Sequence, residues 1–238
     1  MEELVLANHI LANLGLLDAF GHVSVRDPLN DDRYLLSRWV APALVTARDI
    51  IPMTLDSEPV YEADKNKHLY SERYIHGEIY KARPDVMAVV HAHTTKVVAC
   101  GVSGIPFRPL QLNAAFLGDR APVFEMREHF GPDTDLLIRN AARGKALAAA
   151  LGGRAVVLMR GHGETVIGES IKVAVWNTFY TDVNAGELIQ AISLGHDVTY
   201  LSPGEVKMLS TGYAKYAERP WELWVRQAAS NQREVCSS

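Results

Sequence analysis

Cysteine is nearly absent from this chain: Cys100 and Cys236 are the only two in 238 residues. That excludes a disulfide framework, and both are read as free thiols in a reducing compartment. No apolar run approaches the roughly 18 residues needed to span a bilayer. The N-terminal Met1-Glu2-Glu3 carries no basic stretch, so no secretory leader is expected and the reading is a soluble cytoplasmic protein. Long blocks of like charge are also missing, and the net charge is −4. Phosphate-backbone binding needs a clustered basic face, so neither nucleic acid nor membrane is an expected partner.

What is present suits a globular fold. Hydrophobic residues make up 48 % and charged residues 22 % of the chain. At this length about 70 % of the unfolded surface can be buried. Leu4, Leu6, Ala7, Ile10, Leu11, Leu14 and Leu17 recur at helical spacing, so a helix is predicted over 2–20, ended by Gly21. His22–Arg26 alternates as a strand does, residues 27–32 form a turn cluster, and a short strand follows around 34–37. Helices are predicted over 68–82, 94–101, 136–151 and 170–194. Two apolar runs, 86–90 and 155–159, read as buried strands. Residues 107–128 are broken by prolines, and beyond 200 only 213–229 looks helical. The elements alternate without linker or repeat, so the chain is read as one α/β domain over 1–238, with 200–238 packing on it or on a neighbouring subunit.

The histidines carry the chemistry. His91-Ala92-His93 follows directly on the strand 86–90. Residues i and i+2 of a strand share a face, roughly 6.5–7 Å apart, so two imidazoles there can converge on one metal ion. The motif alone fits two solvated histidines at a strand end equally well. A third imidazole, His162, sits between Gly161 and Gly163 after the strand 155–159; an ordinary glycine-rich turn explains it as readily. Together, three neutral imidazoles with an open position suit Zn²⁺, Mn²⁺ or Co²⁺ acting as a Lewis acid. Glu72, on the helix before the His strand, is by itself a surface glutamate.

As a set these pieces are specific. Gly21-His22-Val23-Ser24-Val25-Arg26, Ser71-Glu72, Ala82-Arg83-Pro84-Asp85, Ala88-Val89-Val90-His91-Ala92-His93 and Gly161-His162-Gly163 occur in an order that resembles the class II aldolase and adducin-head family over about residues 3–200. The resemblance implies metal ligands at His91, His93 and His162. It also implies a catalytic Glu72 that ligates the metal before substrate arrives. The implied fold is a single α/β/α domain around a central, mostly antiparallel sheet, and the implied assembly is a tetramer with sites at subunit boundaries.

Departures narrow the expected activity. His22 stands where sugar-phosphate members have asparagine, and Ser37-Arg38-Trp39 replaces a small, hydroxyl-rich phosphate loop. Arg38 suits a planar carboxylate, and Ser37, Ser71 and His22 join it as expected substrate-binding residues. The pattern is similar to the branch that holds metal-dependent decarboxylases of hydroxylated aromatic dicarboxylates, such as dihydroxyphthalate. The alternatives are an aldolase or epimerase on a hydroxy-keto compound, and a non-catalytic adducin-like binding module. His76 is read either as support for Glu72 or as helix packing. Trp221 and Trp224 either pack the C-terminal segment or close the pocket.

Overall fold

Period-two alternation in the central strands sorts side chains onto two faces, and each face acquires its own helices. The computed structural model describes the backbone of residues 1–237 and the side chains of residues 1–230, so the Cys236 thiol lies outside the described side chains. Seven strands form one sheet: β1 (His22–Arg26), β2 (Arg33–Ser37), β3 (Ile50–Thr54), β4 (Ala88–Ala92), β5 (Val123–Phe124), β6 (Val156–Met159) and β7 (Gly163–Gly168). Their order is β3-β2-β1-β4-β7-β6-β5. Every pairing is antiparallel except β5 with β6.

The helices are α1 (Glu2–Asn13), α2 (Tyr74–Ala82), α3 (Thr95–Ser103), α4 (Met126–Phe130), α5 (Ala141–Leu151), α6 (Ile171–Ser193), α7 (Pro203–Ser210) and α8 (Glu218–Ser237). On β4, Ala88, Val90 and Ala92 enter the core shared with α1, α3, α6 and α8. Val89 enters the opposite core, with α2 and α5. By the same alternation His91 falls on the α2/α5 side. Trp221 and Trp224 of α8 are buried in the first core, which is the packing role.

Several boundaries differ from the sequence reading, each for a local reason. α1 stops at Asn13, not near Phe20, because Gly15 turns left-handed at φ +69° and the Leu16 and Leu17 amides bond back to the Leu11 carbonyl. β3 was not foreseen because it contains Pro52. It is an edge strand, where a missing N–H is tolerated. β7 was hidden because glycines bound it at both ends, yet it is interior, between β4 and β6. α5 begins at Ala141, capped by Asn140, whose side chain accepts from the Arg143 amide; Leu136, at φ +63°, keeps the preceding segment out of the helix. The C-terminal segment is more helical than the expected 213–229, through α7 and α8.

The α2/α5 layer depends on a close approach at Gly144. A Cβ there would stand 2.4 Å from the Tyr74 carbonyl oxygen and 2.9 Å from Glu78 Cγ. Gly144→Ala must push the two helices apart. It is expected to cost about 1–3 kcal/mol, at roughly 2–4 °C of Tm per kcal/mol for a chain of this size. Gly204→Ala is the comparison, since its added carbon meets nothing nearer than 3.9 Å. Thermal unfolding of the two variants checks this; equal Tm values would contradict the tight-contact reading.

Candidate metal centre

Two glycines deliver His162. Gly161 adopts φ +69°, so the His162 amide can close a turn onto the Met159 carbonyl at 3.0 Å. Gly163 has no room for a side chain: a Cβ would lie 2.1 Å from the Ala92 carbonyl oxygen. β7 therefore starts flush against the end of β4, with Ala92 paired to Glu164. His91 lies within β4 and His93 just beyond it. Glu72 is not on a helix, as the spacing suggested. α2 begins only at Tyr74, and Glu72 occupies the preceding turn, where the Tyr70 hydroxyl is tied to the Val40 carbonyl at 2.5 Å.

This places Glu72, His91, His93 and His162 together. Each offers one ligand atom, and the four atoms lie within 4.8 Å of one another. Nε2 of His91 and Nε2 of His93 are 3.0 Å apart. Glu72 Oε2 is 3.4 Å from His162 Nε2 and 3.7 Å from His91 Nε2.

The outer partners decide the tautomers. His91 Nδ1 faces the Glu164 carbonyl at 3.0 Å, and His162 Nδ1 faces the Leu136 carbonyl at 3.1 Å. A carbonyl only accepts, so both Nδ1 atoms carry the proton. His93 Nδ1 likewise donates to the Asp18 carboxylate, 3.2 Å away. All three Nε2 atoms are then bare lone pairs turned toward one point. Two of them at 3.0 Å have no proton to share, and a cation between them removes that repulsion. Burial, followed by the neighbouring imidazoles, holds His91 far below its ordinary pKa, so it is neutral as a metal ligand must be. Three imidazoles and a carboxylate fit a divalent ion of the Zn²⁺, Mn²⁺ or Co²⁺ kind.

Asp18 was missed by sequence reasoning, although Asp18-Ala19-Phe20-Gly21 is a legible turn signal. Burial works against its charge. The Phe20 and Gly21 amides and the His93 ring outweigh burial and keep the carboxyl below its usual range. Asp18→Ala removes the partner that orients His93. Metal affinity is expected to fall about 10–100-fold, measured by competition with a chromogenic chelator; unchanged affinity would show that Asp18 does not orient His93. The Ile138 amide, which donates to Glu72 Oε1 at 2.8 Å, left no trace in the sequence because any residue supplies an N–H. The same is true of the Glu164 and Leu136 carbonyls. The Glu164 carboxyl is pushed far up by burial, against the Thr94 hydroxyl that donates to it at 2.7 Å.

Glu72, His93 and His162 line a cavity of about 360 Å³ whose remaining walls include Phe20, Trp39, Tyr70 and Leu137. His22 and Ser71 also line it. Arg38 and Ser37 do not. Arg38 Nε donates to Asp49 at 2.6 Å, and Ser37 is buried with its hydroxyl 3.4 Å from that of Tyr70. Among the described residues no lysine or arginine lines this cavity. His76 bonds to His22 and Ser24 rather than to Glu72; burial lowers it to about 3. His22 is also held far below its ordinary value, by burial and then by His76.

Known proteins resemble this chain in sequence and in fold. Residues 2–187 match the model of the class II aldolase and adducin N-terminal domain. Decarboxylase tropJ of Talaromyces stipitatus is 36 % identical over 92 % of this chain and 90 % of its own. The 3,4-dihydroxyphthalate decarboxylase of Arthrobacter keyseri is 34 % identical over 82 % of this chain and 79 % of its own. An L-fuculose 1-phosphate aldolase from Glaciozyma antarctica superposes with a TM-score of 0.75 at 20 % identity, over 98 % of this chain and 89 % of that one, a likeness of fold. No described helix is long and apolar enough to cross a membrane. The chain belongs to the class II aldolase and adducin family, and the two relatives above, which it matches over four fifths or more of its length, are named decarboxylases.

Proposed function

We propose that this protein is a divalent-metal-dependent decarboxylase of a hydroxylated aromatic carboxylate. The observation that carries the reading is the cavity wall. Beside the imidazole and carboxylate cluster stand the flat side chains of Phe20, Trp39 and Tyr70, with no lysine or arginine among the described residues lining the cavity to receive a phosphate. A volume of about 360 Å³ holds a single substituted ring.

In this reading His91, His93 and His162 would hold the ion, with Glu72 as a further ligand until substrate arrives. A bound divalent ion supplies Lewis acidity, drawing electron density from the oxygens of the substrate. Trp39 and Tyr70 hold the ring plane and, with Leu137, keep water away. Glu72 is anchored through Oε1 by the Ile138 amide, which leaves Oε2 as the atom that hands a proton to the substrate. That proton passes to the ring carbon as its bond to the carboxylate breaks; CO₂ leaves, and the bonding electrons stay with the ring. His22 and Ser71 position the substrate. The role expected of Arg38 as a carboxylate fork draws no support from its pairing with Asp49, so the reading asks for only one carboxylate, the one that is lost. It includes a cytoplasmic homotetramer, checked by light scattering.

The test is a turnover assay on metal-loaded protein. Hydroxyphthalates and dihydroxybenzoates should release CO₂, whereas phosphorylated ketoses and aldoses should not be cleaved. Aldol cleavage without CO₂ release would establish the alternative, an aldolase or epimerase on a hydroxy-keto compound. Inactivity on both with no bound metal would leave an adducin-like binding module.

A further inference from the structure

Two periodicities meet behind the cavity. His22 and Ser24 share a face of β1, two residues apart, and His76 and Tyr80 share a face of α2, four residues apart. All four are buried and hydrogen-bonded in series. Tyr80 OH is 2.9 Å from Ser24 Oγ, Ser24 Oγ is 2.6 Å from His76 Nδ1, and His76 Nε2 is 2.7 Å from His22 Nδ1.

We propose that Tyr80, Ser24 and His76 form a one-way hydrogen-bond chain that fixes His22 as the Nε2–H tautomer, so that the cavity presents a neutral N–H donor and selects substrates bearing an acceptor oxygen at that point. The direction follows from counting protons. Among the described residues the Tyr80 hydroxyl has one acceptor within reach, Ser24 Oγ. If Tyr80 donates to Ser24, Ser24 donates to His76 Nδ1. His76 Nε2–H then donates to His22 Nδ1, and every proton in the chain has a partner. If the chain ran the other way, the phenolic proton would be buried with no acceptor, a state that costs free energy the first arrangement avoids. With Nδ1 of His22 accepting, its proton lies on Nε2. That atom has no hydrogen bond among the described residues and belongs to a ring that lines the cavity.

The consequence is a discrimination by hydrogen-bond polarity. An N–H at this edge donates to a phenolate, keto or carboxylate oxygen. It offers nothing to a group that can only donate. This deepens the proposed function and rests on the cavity being the substrate site, but the tautomers themselves can be read without any substrate.

Solid-state ¹⁵N spectra of histidine-labelled, zinc-loaded protein distinguish Nε2–H from Nδ1–H imidazoles, with the signals assigned through His22→Asn and His76→Asn. In the wild type both rings should be Nε2–H; either ring found as Nδ1–H overturns the proposal. Ser24→Ala removes the donor to His76 and should give both rings mixed tautomers, with 2,3-dihydroxybenzoate binding about tenfold more weakly by calorimetry. Tyr80→Phe leaves Ser24 a single acceptor, His76, so the Nε2–H form should persist in His76, and an Nδ1–H His76 in this variant would also overturn the proposal. Wild-type tautomers in Ser24→Ala would overturn the role of the chain. If Ser24→Ala does not fold, the wild-type and Tyr80→Phe spectra still decide the direction. The assigned tautomers in a protein that releases no CO₂ from any hydroxyaromatic acid would sustain the chain and remove the reaction.

Discussion

His93→Ala and His162→Ala are each expected to empty the centre and abolish turnover while leaving the fold intact. These two rings are partly exposed, with side chains 19 % and 10 % accessible, whereas His91 is fully buried. Truncating His91 would remove packing beneath the sheet as well as a ligand, so its loss of activity would carry two causes. Losing one imidazole leaves two imidazoles and Glu72, one donor short of the four that converge here, so the ion is held less tightly against a strong chelator. The metal content of each variant, measured after dialysis against a chelator, should drop from about one ion per chain to background, and kcat/KM should fall by about 10³-fold or more, equivalent to roughly 4 kcal/mol of barrier. Tm values close to that of the metal-free wild type would show that the fold survives. Full metal retention by both variants would remove these side chains from the coordination set.

How much of this was legible beforehand depended on what kind of atom did the work. The strand 86–90 and the His-x-His spacing foretold that His91 and His93 could meet, because strand periodicity is local. His162 was suggested by its own strand-end turn, but only the family resemblance joined Glu72 to the imidazoles, since nothing local links Glu72 to His91, 19 residues on, or His93 to His162, 69 residues on. Main-chain groups were invisible: the Ile138 amide and the Glu164 and Leu136 carbonyls hold Glu72, His91 and His162, yet any residue could have supplied them. Arg38 shows the opposite failure. Its chemistry suggested a carboxylate, and it has one, but that carboxylate is Asp49, fixed in turn by the Thr46 amide and hydroxyl. Residue type announced the partner class and not which partner. The sheet shows the same division. Alternating strands such as β1 were readable, whereas β3 and β7 carry proline or bounding glycines whose meaning depends on edge or interior position in the finished sheet.

Glu72→Gln separates holding the ion from moving the proton. Glutamine is the same size, and its carbonyl can still accept the Ile138 amide through the position of Oε1. The amide nitrogen then replaces Oε2, the atom 3.4 Å and 3.7 Å from the His162 and His91 nitrogens. An amide has no proton to give at neutral pH, but the three imidazoles remain, each aligned by its own outer partner. The variant should therefore fold normally and bind metal when it is supplied. It should also bind substrate with little change in KM, while kcat falls by about 10²–10⁴-fold, the usual worth of a positioned acid. Turnover in D₂O adds a second readout. Wild-type product should carry one deuterium on the ring carbon that lost its carboxylate, and a single-turnover reaction of the variant should show release of CO₂ slowed to the same degree as deuterium uptake, since both belong to one step. A kcat within about tenfold of wild type, with metal fully bound, would assign proton delivery to another group and leave Glu72 as a ligand alone.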